Sequence, residues 1–288
     1  MTSFAANAGN DTLESNRIYA EVIGDPIAHS KSPVIHGFWI DKLGLNAQYT
    51  AHHVTPDNLA AYFAARRDDP DWRGCNITIP HKVAALDHVA DPGNVRGSIG
   101  AINTVFRDQT GAYVATNTDA GGFFAPIADL KLAGEKAVVI GTGGAARAVL
   151  FALAQAGIGE VTMLARNGLK AAGLLAHFGL RGQVLPVDAR LPSGLPGAVL
   201  LVNASPLGMT GQAPLDIDLS PLPDYALVYD LVYAPLETAL LKSARARDLD
   251  VVDGLDMLTG QAALAFELFF GKAPPADCED ELRALLTA

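Results

Sequence analysis

Ala137-Val-Val-Ile-Gly-Thr-Gly-Gly-Ala-Ala-Arg147 sets four apolar residues directly before a glycine-rich turn, and a run rich in Ala and Leu follows in helical register. Strand, turn and helix in that order are the context in which a G-x-G-x-x-G/A pattern reads as a dinucleotide site. Gly141 permits the tight turn and Gly143 lets the backbone approach a pyrophosphate. Gly144 or Ala145 keeps the helix start bare, where amide N–H groups point outward. An ordinary strand-to-helix turn with incidental glycines would use the same residues. Three further apolar stretches, VTMLA at 161–165, AVLLVNA at 198–204 and ALVYDLVY at 226–233, alternate with longer helical segments. Strands without polar alternation suit a parallel sheet covered on both faces, so an α/β, doubly wound nucleotide domain is expected over residues 119–254.

Upstream the texture is mixed. Residues 18–24 (IYAEVIG), 47–54 and 73–79 read as strands. Ser32-Pro33 reads as cap plus first-turn proline for a helix to about Leu43, and Thr55-Pro56 repeats the signal for a helix ending near Arg67. Pro80 closes the third strand, with a short helix expected from His81. Residues 100–116 read as a hairpin turning at Asp108 to Gly111. The helical tail from Gly254 most economically packs back on this first unit. The expected division is therefore a substrate domain of residues 1–118 completed by 255–288, around the nucleotide domain at 119–254.

With 288 residues, half of them hydrophobic, the chain has material for two cores. Its 31 acidic and 21 basic side chains give a net charge of -10, which repels phosphate backbones and anionic lipid. Neither nucleic acid nor a membrane is expected as a partner; a small molecule is. Cys75 and Cys278 form no CxxC pair, and the seven histidines show no ligand spacing, so neither a disulfide framework nor a metal site is expected. The first sixteen residues are polar and read as a disordered leader, not a signal peptide, which makes the cytoplasm the expected compartment.

About twenty residues beyond the glycine turn, where an NAD enzyme would place a carboxylate for the ribose hydroxyl, stands Arg166, with Lys170 four residues later. A guanidinium fits a 2'-phosphate, so NADP (NADPH) is the expected cofactor. A solvated strand-end cation is the plainer alternative. In the N-terminal half, Ser30, Ser32, Asn76, Thr78, Lys82, Asn103 and Asp119 gather hydroxyls, amides, a lysine and a carboxylate, several of them at strand C-terminal ends. That set suits a polyhydroxylated, carboxylated ring. Taken singly, Ser32 also reads as a helix cap, Asp119 as the cap of a segment starting at Ala120, and Lys82 as a solvated helix-start lysine.

The chain resembles the shikimate dehydrogenase family from about residue 18 to 270. The resemblance is carried by GDPIAHSKSPVIH (24–36), NITIPHK (76–82), GAINT (100–104), NTDAGG (117–122), GTGGAAR (141–147), NASPLGM (203–209), YDLVYAPLET (229–238) and GLDMLTGQA (254–262). It departs beside Arg166, where Ala165 and Asn167 stand for the Asn and Thr or Ser of many relatives. The resemblance implies a substrate domain from both chain ends, an inserted Rossmann-like NADP domain and a cleft between them. It further implies reversible NADPH-dependent reduction of 3-dehydroshikimate to shikimate, a step in aromatic amino acid (chorismate) biosynthesis, by a monomer or homodimer. Ser30, Ser32 and Tyr233 would bind the substrate carboxylate, Thr78, Asn103 and Gln261 the ring hydroxyls, and Lys82 with Asp119 would form the catalytic pair. Gly141, Gly143, Gly144, Ala145, Arg166, Lys170, Met209 and Gly254 would hold the cofactor. The alternatives are a quinate/shikimate dehydrogenase of broader cofactor and substrate use, and a non-catalytic relative that binds shikimate or NADP.

Overall fold

The computed structural model describes residues 17–187 and 194–288. The leader expected at 1–16 lies outside the described residues. The first layer runs β1 (Ile18–Gly24), α1 (Ser32–Lys42), β2 (Ala47–His53), α2 (Leu59–Arg66), β3 (Trp72–Ile77), α3 (Val95–Ser98), β4 (Thr104–Arg107) and β5 (Tyr113–Thr116). Its sheet has the order β2-β1-β3-β4-β5, with β1, β2 and β3 parallel and the last two strands an antiparallel hairpin. The hairpin turns where expected, with Asp108 Oδ1 accepting from the N–H groups of Thr110 and Ala112.

From α4 (Asp119–Phe124) the chain enters β6 (Lys136–Ile140), α5 (Gly144–Gln155), β7 (Glu160–Leu164), α6 (Gly168–His177), β8 (Gly182–Leu185), β9 (Ala198–Asn203), β10 (Leu227–Asp230), α7 (Ala239–Arg245) and β11 (Asp250–Val252). All neighbouring strands are parallel, in the order β11-β10-β9-β6-β7-β8. The alternating residues of β6 explain the apolar runs. Ala137 and Val139 enter the core shared with α5 and α6, while Val138 and Ile140 enter the one shared with α7. The strand order reverses between β6 and β9, and a ligand crevice forms at such a point over the carboxyl ends of the strands.

The C-terminal helices pack against α1 of the first layer. Leu255, Ala262, Ala265, Phe266 and Phe269 of α8 (Gly254–Phe270), and Leu282 and Leu286 of α9 (Glu279–Thr287), share a core with Ile35, Trp39 and Ile40 of α1. Arg283 of α9 pairs with Asp253, the residue that caps α8, and with Asp256 at 3.0 Å.

Three local expectations are corrected. Ser32 is the first residue of α1 rather than its cap, and its hydroxyl is hydrogen-bonded to Tyr49. Asp119 lies inside α4; Asn117 Oδ1 receives the Ala120 N–H at 3.3 Å and takes the capping role. His81 starts no α-helix: the chain turns there and makes only a short 3-10 turn at Ala84–Asp87. In the first two cases a tertiary partner captures the side chain that local propensity assigned to a cap.

Candidate active site

The carboxyl ends of β1 and β3, the β5–α4 junction and the inner face of α8 converge on one buried polar cluster. Asn103 lies at its centre, 2% exposed. Its amide nitrogen faces Thr118 Oγ1 at 2.8 Å, Asp119 Oδ1 at 2.9 Å and Gln261 Oε1 at 3.2 Å. Its oxygen accepts from the Thr118 N–H at 2.7 Å and from Thr104 Oγ1 at 3.1 Å. An amide so saturated has one orientation, and it holds the Asp119 carboxylate by one oxygen. The other oxygen of Asp119 accepts from Lys82 Nζ. Lys82 is fixed in turn by its backbone, whose carbonyl accepts from Ile102 N–H at 2.7 Å.

The network extends beneath the serines. Asn76 Nδ2 donates to Thr104 Oγ1 at 3.0 Å, Asn76 Oδ1 accepts from Tyr49 Oη at 2.6 Å, and Tyr49 is hydrogen-bonded to Ser32. Ser30 Oγ accepts from the Ser32 N–H at 3.3 Å. Tyr49 also stacks on His36, ring centroids 3.9 Å apart, and burial without a hydrogen-bond partner pushes the His36 imidazole down to about 3. Thr78 is half-buried beside Gly24, where a Cβ would lie 2.5 Å from its methyl group. Tyr233 is half-buried, and burial raises its hydroxyl above the usual tyrosine range. Among the described residues no hydrogen bond ties Tyr233 to the serines.

The glycine-rich turn lies against this cluster. Gly141 has φ +111°, and a Cβ there would meet the Ala204 carbonyl at 2.8 Å, so only glycine lets β6 turn against the end of β9. Gly143 occupies the cap position of α5 without a side-chain cap, and a Cβ there would meet nothing within 4 Å. Gly143 thus leaves open space at the start of α5, where the first amides of a helix lack intrahelical partners and a pyrophosphate can be received. A Cβ on Gly144 would lie 2.9 Å from Lys82 Cδ, which brings the lysine stem onto the start of α5. Ala145 is half-buried behind it. Arg166 and Lys170 are exposed at the end of β7 and the start of α6. Asn167 caps α6 by accepting from the Lys170 N–H at 3.0 Å, so the sequence departure there preserves a capping side chain. Met209 is exposed in the loop after β9, and Gly254 packs on the backbone of Leu231 and Val232, where a Cβ would come within 2.6 Å.

Residues 22–105 match the shikimate dehydrogenase substrate binding domain, and residues 254–278 match the shikimate 5'-dehydrogenase C-terminal domain. A shikimate dehydrogenase (NADP(+)) of Sphingopyxis alaskensis is 64% identical over 270 residues, covering 94% of this chain and 97% of its own. The chain belongs to the shikimate dehydrogenase family. Among solved structures, the shikimate 5-dehydrogenase of Thermus thermophilus in complex with NADP(H) and shikimate superimposes with a TM-score of 0.81. It is 36% identical, over 93% of this chain and 99% of that one. A 5-ketofructose reductase from a Gluconobacter strain, 28% identical, reaches 0.83 over 95% of this chain and 98% of its own.

Several shikimate dehydrogenase motifs thus meet in the Asn103 cluster, but sequence reading missed part of the supporting polar structure. Tyr49, Thr104 and Thr118 join the cluster, and the inward Ala47 and Tyr49 positions of β2 were the available signal for the first. A second network closes the loops after β9 and β10. Fully buried Asp230 accepts from Asn203 Nδ2 at 2.8 Å, the Val232 N–H at 3.1 Å and Thr238 Oγ1 at 2.7 Å. Burial raises the Asp230 carboxyl above its ordinary range. Among the described residues no group of three His, Cys, Asp or Glu side chains is placed to hold a metal ion.

Proposed function

We propose that the chain is an NADP-dependent shikimate dehydrogenase that reversibly reduces 3-dehydroshikimate to shikimate, with residues 1–118 and 255–288 as substrate domain and 119–254 as nucleotide domain. The observation that carries the reading is the seating of Lys82: its amine pairs with Asp119 inside the polar cluster while its stem lies on Gly144 of the glycine turn. A ring bound over the cluster would meet the lysine from one side and a dinucleotide bound to α5 from the other.

The uncapped start of α5, bare Gly143 and the exposed cations Arg166 and Lys170, which have no ion pair among the described residues, fit NADP. When bound, NADPH supplies a hydride to C3 of the ring. Lys82 Nζ holds the proton that the C3 oxygen takes up, and Asp119 orients the amine by accepting its hydrogen bond. Asn103 keeps the second Asp119 oxygen engaged, so the carboxylate presents one face to Lys82. The Gln261 contact at 3.2 Å is the longest of the Asn103 amide's three and is the one a ring hydroxyl replaces. Thr78 takes a second hydroxyl. The Ser30 and Ser32 hydroxyls with Tyr233 hold the carboxylate, and Met209 and Gly254 line the nicotinamide end. In the oxidation direction the proton returns to Lys82.

The chain acts in the cytoplasm on a small-molecule substrate, as a monomer or homodimer, without nucleic-acid or membrane partners. Its net charge supports this reading, and no helix among the described residues is long and apolar enough to cross a membrane. Oxidation of shikimate and of quinate, each with NADP and with NAD, tests the proposal. Shikimate with NADP is expected to have the highest kcat/KM; equal or better turnover of quinate with NAD would assign the broader activity instead.

A further inference from the structure

Arg147 stands in the first turns of α5, where the helix dipole already concentrates positive charge, and it is half-buried. Burial alone pulls its guanidinium below the ordinary arginine range, and among the described residues no carboxylate offsets that cost. A desolvated cation without a counter-charge, on the positive end of a helix, is unfavourable on every local ground. What it touches lies in the other layer. Arg147 Nη1 donates to the Ile99 carbonyl at 3.3 Å, and a Cβ on the next residue, Gly100, would come within 2.6 Å of that nitrogen. Gly100, with φ +73°, therefore leaves the space the guanidinium fills.

The contact closes a ring of interactions. The 99–102 loop that receives Arg147 also holds the catalytic lysine, because the Ile102 N–H donates to the Lys82 carbonyl. The Lys82 stem rests on Gly144, three residues before Arg147 on the same helix. Ala148 and Phe151, further along α5, pack with Val95, Ile99 and Ile102. We propose that Arg147 is a positioning residue that ties the start of the nucleotide-binding helix to the 99–102 loop, which holds the Lys82 backbone, and so fixes the separation between bound cofactor and proton donor. The proposal rests on the dehydrogenase reading above. Its effect is on the reacting geometry: a small misplacement of two reacting groups costs turnover without a matching loss of binding for either ligand.

Steady-state kinetics and thermal unfolding of Arg147→Met and Arg147→Lys test it, with wild-type turnover as the separate check on the dehydrogenase reading. Arg147→Met keeps an apolar stem and removes the donor. Its kcat should fall about tenfold or more while KM for shikimate and for NADP each stay within about threefold. Arg147→Lys keeps a cationic donor on a similar stem and should recover kcat to within about threefold of wild type. Should Arg147→Met fail to fold, Arg147→Gln serves as the donor-weakened variant, with the same split expected. An Arg147→Met kcat within about twofold of wild type would overturn the proposal, as would a rise in KM for NADP at unchanged kcat, which would make Arg147 a cofactor-binding cation.

Discussion

Lys82 and Arg166 are the two cations proposed to meet a ligand, and the protein holds them in opposite ways. The Lys82 amine is mostly buried, paired with Asp119 and backed by the Asn103, Thr118 and Gln261 network. Arg166 is exposed at a strand end, with no ion pair among the described residues. On the proposed substrate side the polar groups satisfy one another, as buried polar groups must once removed from water. The adenosine side is left uncommitted, because an exposed guanidinium is already solvated and needs only a phosphate to engage it. Substitutions on the first side should therefore act on turnover, and those on the second on the affinity of one cofactor.

The largest effect is expected for Lys82→Ala. Its kcat should fall about 10²- to 10⁴-fold, the usual worth of a positioned acid or base, with NADP binding near wild type. Retention of more than about a third of wild-type kcat would remove Lys82 from the mechanism. On the opposite side, Arg166→Ala should raise KM for NADP about tenfold or more, with a smaller rise for Lys170→Ala, while the NAD values hold. A charge-assisted hydrogen bond to phosphate is worth about 1.5–3 kcal/mol. A parallel change with both cofactors would break the contrast.

Ser30→Ala and Ser32→Ala should each weaken shikimate binding by about 1–3 kcal/mol. Because Ser32 caps no helix, its alanine variant should raise KM for shikimate without the roughly 1 kcal/mol stability penalty of a lost cap. A matched drop in thermal stability would restore the capping role.

An effect on stability rather than turnover is a pH dependence beneath the cluster. His36 is held at about 3 against an ordinary 6.5, so between those values the unfolded chain binds a proton that the folded one refuses. Its contribution to stability is whole above about pH 6.5 and is lost as the pH falls toward about 3. His36→Phe, which keeps a ring against Tyr49, should flatten the acid-side decline in the urea midpoint. An unchanged slope would show that other groups govern it.

The glycine turn, the parallel sheet and the returning tail were legible because each rests on a strong local pattern: an apolar strand into G-T-G-G, wholly apolar strands, and an apolar helix. Two strands were not. Gly182–Leu185 carries exposed Gly182 and Gln183 on the sheet edge, and Asp250–Val252 has three residues, too few for a period to register. Within the site, the motif residues stand out in the sequence as a set, but a residue with two readings is not decided by sequence alone. Ser32 and Asp119 have cap chemistry by local sequence, and only the positions of Tyr49, Lys82 and Asn103 in space decide otherwise. Arg147 passed as one more helix-forming residue because its partner, the Ile99 carbonyl, is a backbone atom that no side-chain pattern announces.

The most direct measurement is consumption of NADPH by the purified wild-type chain with 3-dehydroshikimate, with the product identified. The account requires that NADPH be oxidised one for one with the appearance of shikimate, and that NADH serve much less well. Absence of NADPH oxidation, or oxidation that yields no shikimate, would contradict it.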